Sequence, residues 1–401
     1  MDNIKEEQDK LKYEEIIKEF ILKRKDLYKI NDIKNISISF KRLGGGMNKN
    51  YLIEIENKEN NKTNKFFFRY FGELINDIFD RKKEAEIIKK LGEEGYGPKL
   101  LEFDYINEKY RIDEYLDDTR ELLYEEVFNE NIINDLNIII NKYSQISDIY
   151  KYEFINKDSK NIINLVKAGE GKFNISTNIY DNIINYVYNK SKENFEKFNN
   201  DYNKSTIRDD ILNDNNINKI KNLINNFIDL FSSFFNKTGF FILNHHDLYQ
   251  VNILLNKNTN KIYLIDNEFA CLSMIGFDIV WYALMSLFKY YPKYEYFPNL
   301  MNYEKFYDVF KKYLECFVKT NSDWINQNQE RLNYIDSLKK EKYFCELLCV
   351  VNLFSFIIGL NDLQFEEEFV TKTIPPFFVN ILNRIQLFEF SYEKYKQKIN
   401  N

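Results

Sequence analysis

The chain has 401 residues, of which 44% are hydrophobic and 29% charged, and its formal net charge is −6 at pH 7. This composition is ordinary for a globular protein, and the length allows two lobes with a sizeable core. The negative net charge argues against nucleic acid as a main partner, because nucleic-acid-binding domains usually carry a basic patch or stripe.

Three features bear on the cellular compartment. The N-terminus, MDNIKEEQDKLKYEE, is charged, so we expect no signal peptide. The longest apolar stretch, Leu347 to Leu360, is too short to cross a bilayer, and we expect no membrane span. The cysteines lack the nearby histidines or second cysteine pair of a zinc site, so we expect free thiols in a cytoplasmic protein. They are Cys271, Cys316, Cys345 and Cys349.

The first 117 residues are predicted to form a small lobe. In this lobe a helical extension over residues 1–30 comes before a sheet and one helix. Residues 2–28 have the pattern of a charged amphipathic helix, and a second helix follows Asp80. The segment 114–119, which begins with Glu114, is then the expected hinge where an adenine would dock. Strands are expected at residues 35–40, Tyr51–Glu56, Lys65–Tyr70, Lys99–Asp104 and Tyr110–Leu116.

A glycine run separates the first two predicted strands. Gly44, Gly45, Gly46 and Met47 form a turn whose backbone N–H groups could approach a phosphate closely. Most glycine triplets are plain turns, but three of the 12 glycines of the chain occur here. The phosphate loop and the plain turn are therefore both open at this point.

The third predicted strand contains a cation, Arg69, within the aromatic run FFFRYFG. A cation on a buried strand needs an anionic partner, which phosphate oxygens or a helix carboxylate would supply. Glu84, in the helix RKKEAEIIKKL, is such a carboxylate. The alternative is an ordinary surface salt bridge, worth about 0–1 kcal/mol.

Residues 118–240 are predicted to be mostly helical. Polar interruptions are expected at 155–175 and at 198–216, and the second, rich in Asn and Asp, is expected to be a loop or insertion. A helix over Ile217–Phe235 leads into the next segment, and the chain is again expected to be helical after Ile279.

The segment Ile242 to Ile279 carries the strongest chemical signal. His245-His246-Asp247 precedes Asn252 by five residues, and a predicted strand–turn–strand then ends at Asp266-Asn267-Glu268. Three carboxylates and an amide are hard oxygen ligands, which suit Mg²⁺ better than zinc.

The order of these groups is that of a phosphotransferase of the protein-kinase type. There, an Asp accepts the substrate hydroxyl proton, an Asn holds a metal ion, and a later Asp at a strand end holds the metal between phosphates. The alternative is a chance match in a chain rich in Asp and Asn. Both histidines of the chain lie in this motif, and the second acidic group follows at the required spacing, which favours phosphotransfer.

With these residues in hand, the chain from about residue 40 onward resembles the choline/ethanolamine kinase family, relatives of the aminoglycoside phosphotransferases and protein kinases. The motifs similar to those of the family are Gly45-Gly46-Met47, Arg69-Tyr70-Phe71-Gly72, Asp80–Glu84, Gly95–Leu100, His245–Leu254, Ile265–Ala270 and Gly276–Ile279.

The resemblance implies a protein-kinase-like α+β fold with lobes at 1–117 and 118–401. It implies ATP and Mg²⁺ as cofactors and phosphorylation of the hydroxyl of choline and/or ethanolamine, the first step of phospholipid head-group synthesis. Relatives often dimerise, so a homodimer is one expectation. The resemblance implies that Asp247 is the general base and contacts the substrate. Asn252, Asp266 and Glu268 would bind Mg²⁺, and Glu268 would also contact the substrate. Arg69, with its partner Glu84, would bind ATP, and Asp278 would brace the catalytic loop.

The sequence also departs from the family pattern. His246 replaces an Asn, Asn267 replaces a Phe, and a Glu expected after the Phe-Asp-Ile motif is missing from Trp281–Ser286. The family's Trp-x-x-Trp is best matched by Val351 and Phe354. The aromatic candidates for a cage around the substrate cation are Phe354, Phe390 and Tyr395, with ordinary core packing as the alternative for each.

Two rival functions follow from these departures. One is a different small-molecule kinase of the same fold, acting on an aminoglycoside, a sugar or homoserine. The other is a non-catalytic pseudokinase, which the complete set Arg69, Glu84, Asp247, Asn252 and Asp266 argues against.

Overall fold

The computed structural model describes residues 2–28, 33–43, 48–72, 80–154, 163–167, 178–204, 213–234, 238–289, 295–362 and 376–400. The chain forms two compact units. The first contains Met1–Arg120 and Asn256–Glu268, and the second contains Glu121–Leu255 and Phe269–Asn401. The first unit therefore includes a short segment from the second half of the chain, which ends with the acidic residues Asp266 and Glu268.

An antiparallel sheet forms the centre of the first unit. Its strands are β1 (Ile36–Arg42), β2 (Lys49–Asn57), β3 (Lys62–Tyr70), β4 (Leu100–Phe103) and β5 (Tyr110–Glu114), in the order β1-β2-β3-β5-β4. All neighbouring strands pair antiparallel. The five-stranded sheet expected from the alternating apolar pattern is confirmed, with strand ends that differ by a few residues.

One face of this sheet is covered by helix α1 (Asp2–Leu22). The predicted helix over residues 2–28 is in fact divided, because a turn after Leu22 separates α1 from the short helix α2 (Lys25–Tyr28). Side chains of α1 at helical spacing pack against alternate residues of the strands. The resulting core consists of Tyr13, Ile17, Phe20, Ile21, Ile53, Ile55, Phe66, Phe68 and Ile112.

The opposite face of β3 carries Arg69, because successive side chains of a strand point to opposite faces. Helix α3 (Arg81–Glu94) supplies the buried residues that meet it there. The helix begins at Asp80, whose side chain accepts a hydrogen bond from Lys83 N at 3.0 Å. It ends at Gly95, which has a left-handed backbone (φ 76°) that suits glycine.

The second unit is mainly helical. Helix α11 packs against several of the others, and 94% of its most apolar window is buried in the structure. Its stretch Glu341–Leu360 is long and apolar enough to cross a membrane, but the core helix of a soluble protein passes the same test. The helices are α4 (Glu130–Ser144), α5 (Asn178–Lys204), α6 (Asp214–Phe234), α7 (Phe277–Met285), α8 (Tyr303–Thr320), α9 (Ser322–Ile325), α10 (Gln329–Leu338), α11 (Glu341–Asp362) and α12 (Pro376–Ile399).

The second unit also contains a four-stranded antiparallel sheet. It is made of β7 (Tyr150–Phe154), β8 (Ile163–Lys167), β9 (Thr238–Asn244) and β12 (Cys271–Met274), in the order β12-β9-β7-β8. The remaining short strands of the chain are β6 (Thr119–Glu121), β10 (Ile253–Asn256), β11 (Ile262–Leu264), β13 (Phe288–Lys289) and β14 (Glu295–Tyr296).

Two expectations for residues 118–240 were wrong. Strand β7 and the first part of β9 lie in stretches that were expected to be helical, and β8 lies in the polar interruption expected at 155–175. Strand β9 is a short continuous apolar run, which does not distinguish a buried strand from a helix. The expected loop at 198–216 begins too early, since α5 continues to Lys204 and α6 starts at Asp214. Residues 205–212 lie outside the described residues.

Candidate active site

Arg69 lies at the centre of a buried charged cluster in the first unit. Its Nη1 is 2.7 Å from Asp266 Oδ1, 3.5 Å from Glu84 Oε1 and 3.6 Å from Glu268 Oε2. Its Nε donates a hydrogen bond to Asn50 Oδ1 at 3.0 Å. The side chain is 6% exposed, so the predicted pairing of Arg69 with Glu84 is a buried contact and not a surface salt bridge.

Two further arginines, which the sequence analysis did not identify, complete the cluster. Arg81 Nη1 donates to Glu84 Oε2 at 2.9 Å and to Glu268 Oε2 at 3.1 Å, and its guanidinium lies over the ring of Phe71. Arg111 contacts Glu84 through Nη1 and donates from Nε to Asp113 Oδ2 at 2.9 Å. Arg111 lies in the strand sequence YRIDE, which is not an apolar run, so the signal that marked Arg69 is absent there.

These contacts shift the pKa values of Glu84, Glu268 and Arg69. Burial raises the pKa of Glu84, but the guanidinium groups of Arg111, Arg81 and Arg69 outweigh burial, and the pKa lies below its usual range. Burial and the neighbouring Asp266 raise the pKa of Glu268. For Arg69, burial opposes the charged form, yet Asp266, Glu268 and Glu84 raise its pKa and keep it charged.

The donor set at this cluster fits a hard cation. Oxygen atoms of Glu84, Asp266 and Glu268 lie within 4.8 Å of one another. Because Glu84 is taken up by three guanidinium groups, Asp266 and Glu268 are the carboxylates best suited to a metal ion such as Mg²⁺. Asp266 is the more accessible of the two, with a side chain that is 30% exposed.

The remaining residues predicted to bind a nucleotide are Glu114 and the glycine run with Met47. Glu114 ends β5, and its Oε2 accepts a hydrogen bond from Lys99 N at 3.4 Å. Gly45, Gly46 and Met47 lie outside the described residues, so the structure adds nothing to their expected role. Asn48, the first described residue after them, contacts the charged cluster through Glu268.

In the second unit, Asp247 and Asn252 lie together. The chain leaves β9 and forms a 3₁₀ turn, Gln250–Asn252, which returns the Asn252 amide to the aspartate. Asn252 Nδ2 donates to the backbone oxygen of Asp247 at 2.8 Å and to its Oδ2 at 2.9 Å. Because the amide nitrogen donates to Asp247, the amide oxygen is the Asn252 atom that could bind a cation.

Asp278, at the start of α7, binds the backbone of the loop that carries Asp247. Its two carboxylate oxygens accept hydrogen bonds from the backbone N–H groups of His245 at 2.7 Å and of His246 at 3.0 Å. Burial raises the pKa of Asp278 to about 7, although the two N–H donors act in the opposite direction. The carboxylate is therefore buried and bound to the loop, as a bracing role requires.

The structure explains one departure from the family pattern. His246 has a left-handed backbone (φ 64°), which Asn and His adopt more readily than most residues. Its ring stacks on Phe277 with 4.2 Å between centroids, and Nε2 lies 2.7 Å from Ser273 Oγ. His246 thus anchors the loop through its ring, at a position whose left-handed backbone Asn also adopts readily.

The three aromatic candidates for a cation cage have packing partners in the second unit. Phe354 is 2% exposed, and its ring contacts those of His246, Phe277 and Trp281. Phe390 has the ammonium of Lys394 over its ring at 5.7 Å. Tyr395 contacts the rings of Phe234 and Tyr392. Phe354 therefore belongs to the core, which agrees with the core-packing alternative, whereas Phe390 and Tyr395 are half-buried and their expected part in a cage stays a prediction.

Comparison with known proteins assigns the chain to a family. The family model for choline/ethanolamine kinase matches residues 40–369. No curated protein matches the sequence significantly. An ethanolamine kinase structure from Plasmodium vivax is 15% identical, with 94% of this chain and 90% of that chain covered and a TM-score of 0.51. The choline kinase LicA from Streptococcus pneumoniae is 18% identical, with 96% and 99% covered and a TM-score of 0.49.

At 15% identity the ethanolamine kinase structure bears on the fold alone, and the predicted protein-kinase-like α+β fold is confirmed. The family model covers most of the chain and confirms the resemblance found in the motifs. The chain therefore belongs to the choline/ethanolamine kinase family.

Proposed function

We propose that the protein transfers the γ-phosphoryl group of ATP to the hydroxyl of a small amino alcohol, ethanolamine or choline. The observation that carries this proposal is the buried cluster of Arg69 and Glu84 with Asp266 and Glu268. Phosphoryl transfer depends mainly on positioning and on stabilising charge, which a fixed cation and oxygen ligands for a metal provide.

Each group has a proposed part in the reaction. Asp247 orients the hydroxyl of the alcohol and accepts its proton as the oxygen attacks the γ-phosphorus. Asn252 fixes the Asp247 carboxylate through its amide N–H, and Arg69 binds phosphate oxygens of ATP. Asn252, Asp266 and Glu268 would hold Mg²⁺, which neutralises charge on the transferred group when bound.

Two observations favour ethanolamine over choline. A quaternary ammonium has no N–H donors and depends on aromatic faces, whereas a primary ammonium can be bound by oxygen acceptors. The ring of Phe354 is packed among other rings, and that of Phe390 already contacts a lysine ammonium. A cytoplasmic location is part of the proposal, because the four cysteines, all of them among the described residues, form no disulfide bond.

The direct test is Mg²⁺-dependent release of ADP from ATP, with ethanolamine and choline compared side by side. We expect saturable turnover with at least one of the two alcohols, and a higher kcat/KM for ethanolamine than for choline. Turnover only with an aminoglycoside, a sugar or homoserine would assign the chain another substrate. If none of these alcohols gave ADP release, the protein would be a non-catalytic member of the family.

The catalytic base is tested by Asp247→Asn. The amide cannot accept the hydroxyl proton, so we expect kcat to fall by about 10²–10⁴-fold, the usual contribution of general base catalysis. The affinity for ADP, measured by calorimetry, should stay nearly unchanged because Asp247 is not a proposed nucleotide ligand. Retained turnover in Asp247→Asn would exclude this residue as the base.

A further inference from the structure

We propose that Asn48 and Arg81 are positioning residues that hold Glu268 through a single oxygen and leave its other oxygen for the cation. This inference rests on the proposed function. Among the described residues, the polar contacts of Glu268 all go to Oε2. Asn48 Nδ2 donates to it at 2.8 Å, Arg81 Nη1 donates at 3.1 Å, and Arg69 Nη1 lies 3.6 Å away.

The side-chain amide of Asn48 is itself fixed in one orientation. Its Oδ1 is 3.4 Å from Gly72 N and 3.4 Å from Arg81 Nη2, both of which are donors. A flipped amide would place its NH₂ group against two donors and its oxygen against the Glu268 carboxylate. The side chain is 5% exposed, so such mismatches would be costly, and Nδ2 is the atom that faces Glu268.

The position of Asn48 in the chain gives this contact its significance. In the sequence, Asn48 directly follows the glycine run and Met47 and precedes β2, while Glu268 follows β11. The side-chain hydrogen bond therefore ties the segment expected to contact phosphate to a carboxylate expected to contact the cation. Ligands that are oriented by outer hydrogen bonds bind metal ions more tightly, because the carboxylate does not need to be ordered on binding.

Arg81 makes further contacts, so a substitution of Arg81 would not test its effect on Glu268 alone. It also binds Glu84 and lies over Phe71 with 1% of its side chain exposed, so its removal would leave a buried carboxylate partly unpaired. Asn48 is neutral and smaller, and its loss removes one donor to Glu268 together with a distant acceptor, 3.4 Å from Gly72 N and from Arg81 Nη2. The informative substitution is therefore Asn48→Ala.

The test is Mn²⁺ binding by the full chain in the presence of saturating ADP, measured by electron paramagnetic resonance of free Mn²⁺. Four proteins are compared: the unmodified chain, Asn48→Ala, Glu268→Gln and the double variant. Asn258→Ala, in an exposed turn of the same unit, is the matched control. ADP affinity without metal and the melting temperature are measured for each protein.

We expect Asn48→Ala to weaken Mn²⁺ binding by about 10-fold or more, with little change in metal-free ADP affinity or melting temperature. In the Glu268→Gln background, the same substitution should have little further effect, because it acts through Glu268. Equal weakening in both backgrounds, unchanged Mn²⁺ affinity, or an equal loss of metal-free ADP binding would overturn the inference. Absence of Mn²⁺ binding by the unmodified chain with ADP would overturn the proposed function itself.

Discussion

At the scale of single residues, the charged cluster shows what a sequence can and cannot disclose. Arg69 and Glu84 could be paired from the sequence, because a cation in an apolar strand needs a carboxylate and the next helix offers one. Arg81 and Arg111 could not be assigned to the same carboxylate, since only the sheet register places Arg111 opposite Arg69. Their joint contact with Glu84 is a property of the folded chain.

Asp278 gives a prediction on pH dependence. Burial raises its pKa to about 7 in the folded protein, against about 3.9 in an unfolded chain. Between these values the native state binds a proton that the unfolded state does not bind. The contribution of Asp278 to the free energy of unfolding is therefore fully present below about pH 4 and is lost as the pH rises to about 7, by up to about 1.4 kcal/mol per pH unit.

The check is chemical unfolding of the unmodified protein and Asp278→Asn from pH 5 to pH 8. We expect the stability difference between the two to change in favour of the variant as the pH rises to 7, and to become constant above it. A difference that does not vary with pH would show that Asp278 keeps one charge state throughout this range.

At the scale of elements, the apolar pattern predicted the strands of the first unit well and those of the second unit poorly. The strands of the first unit are separated by glycines or polar turns, which mark their ends. Strand β9 is the continuous apolar run before the catalytic loop, and a run of this kind has no period that separates strand from helix. The loop after β9 was nevertheless selected as the candidate catalytic loop, because its motif depends on residue spacing and not on the preceding element; its role stays a prediction.

The loop offers a test of backbone geometry at His246. Because its φ is 64°, we expect His246→Asn to be tolerated, with a melting temperature within a few degrees of that of the unmodified protein and kcat largely retained. His246→Val places a β-branched side chain in the left-handed region, at a cost of about 1–3 kcal/mol, and should lower both stability and kcat. Both variants lose the ring contact with Phe277, so that loss cannot explain a difference between them. Equal effects of Asn and Val would mean that the backbone conformation is not the constraint.

At the scale of the whole molecule, the folded core includes residues that precede the segment matched by the family model. The match begins at residue 40, but helix α1 contributes four of the residues that form the core on one face of the first sheet. The other face of β3 carries Arg69, so the same strand is packed by α1 on one side and bears the proposed phosphate ligand on the other. We infer that α1 stabilises the strand that positions Arg69.

This dependence is tested with a pair of substitutions on α1. Phe20 is 0% exposed and contacts the ring of Phe66, whereas Leu11 on the same helix is 62% exposed. Phe20→Ala should lower the free energy of unfolding by about 3–5 kcal/mol, because it removes a buried ring and leaves a cavity. Leu11→Ala should change it by about 0.5 kcal/mol or less. Denaturant unfolding measures both, and ADP binding should weaken in Phe20→Ala only at temperatures where the protein begins to unfold. A similar loss of unfolding free energy in the two variants would show that α1 does not form the core described. A loss of ADP binding in fully folded Phe20→Ala would show that α1 also influences the nucleotide site in the folded protein.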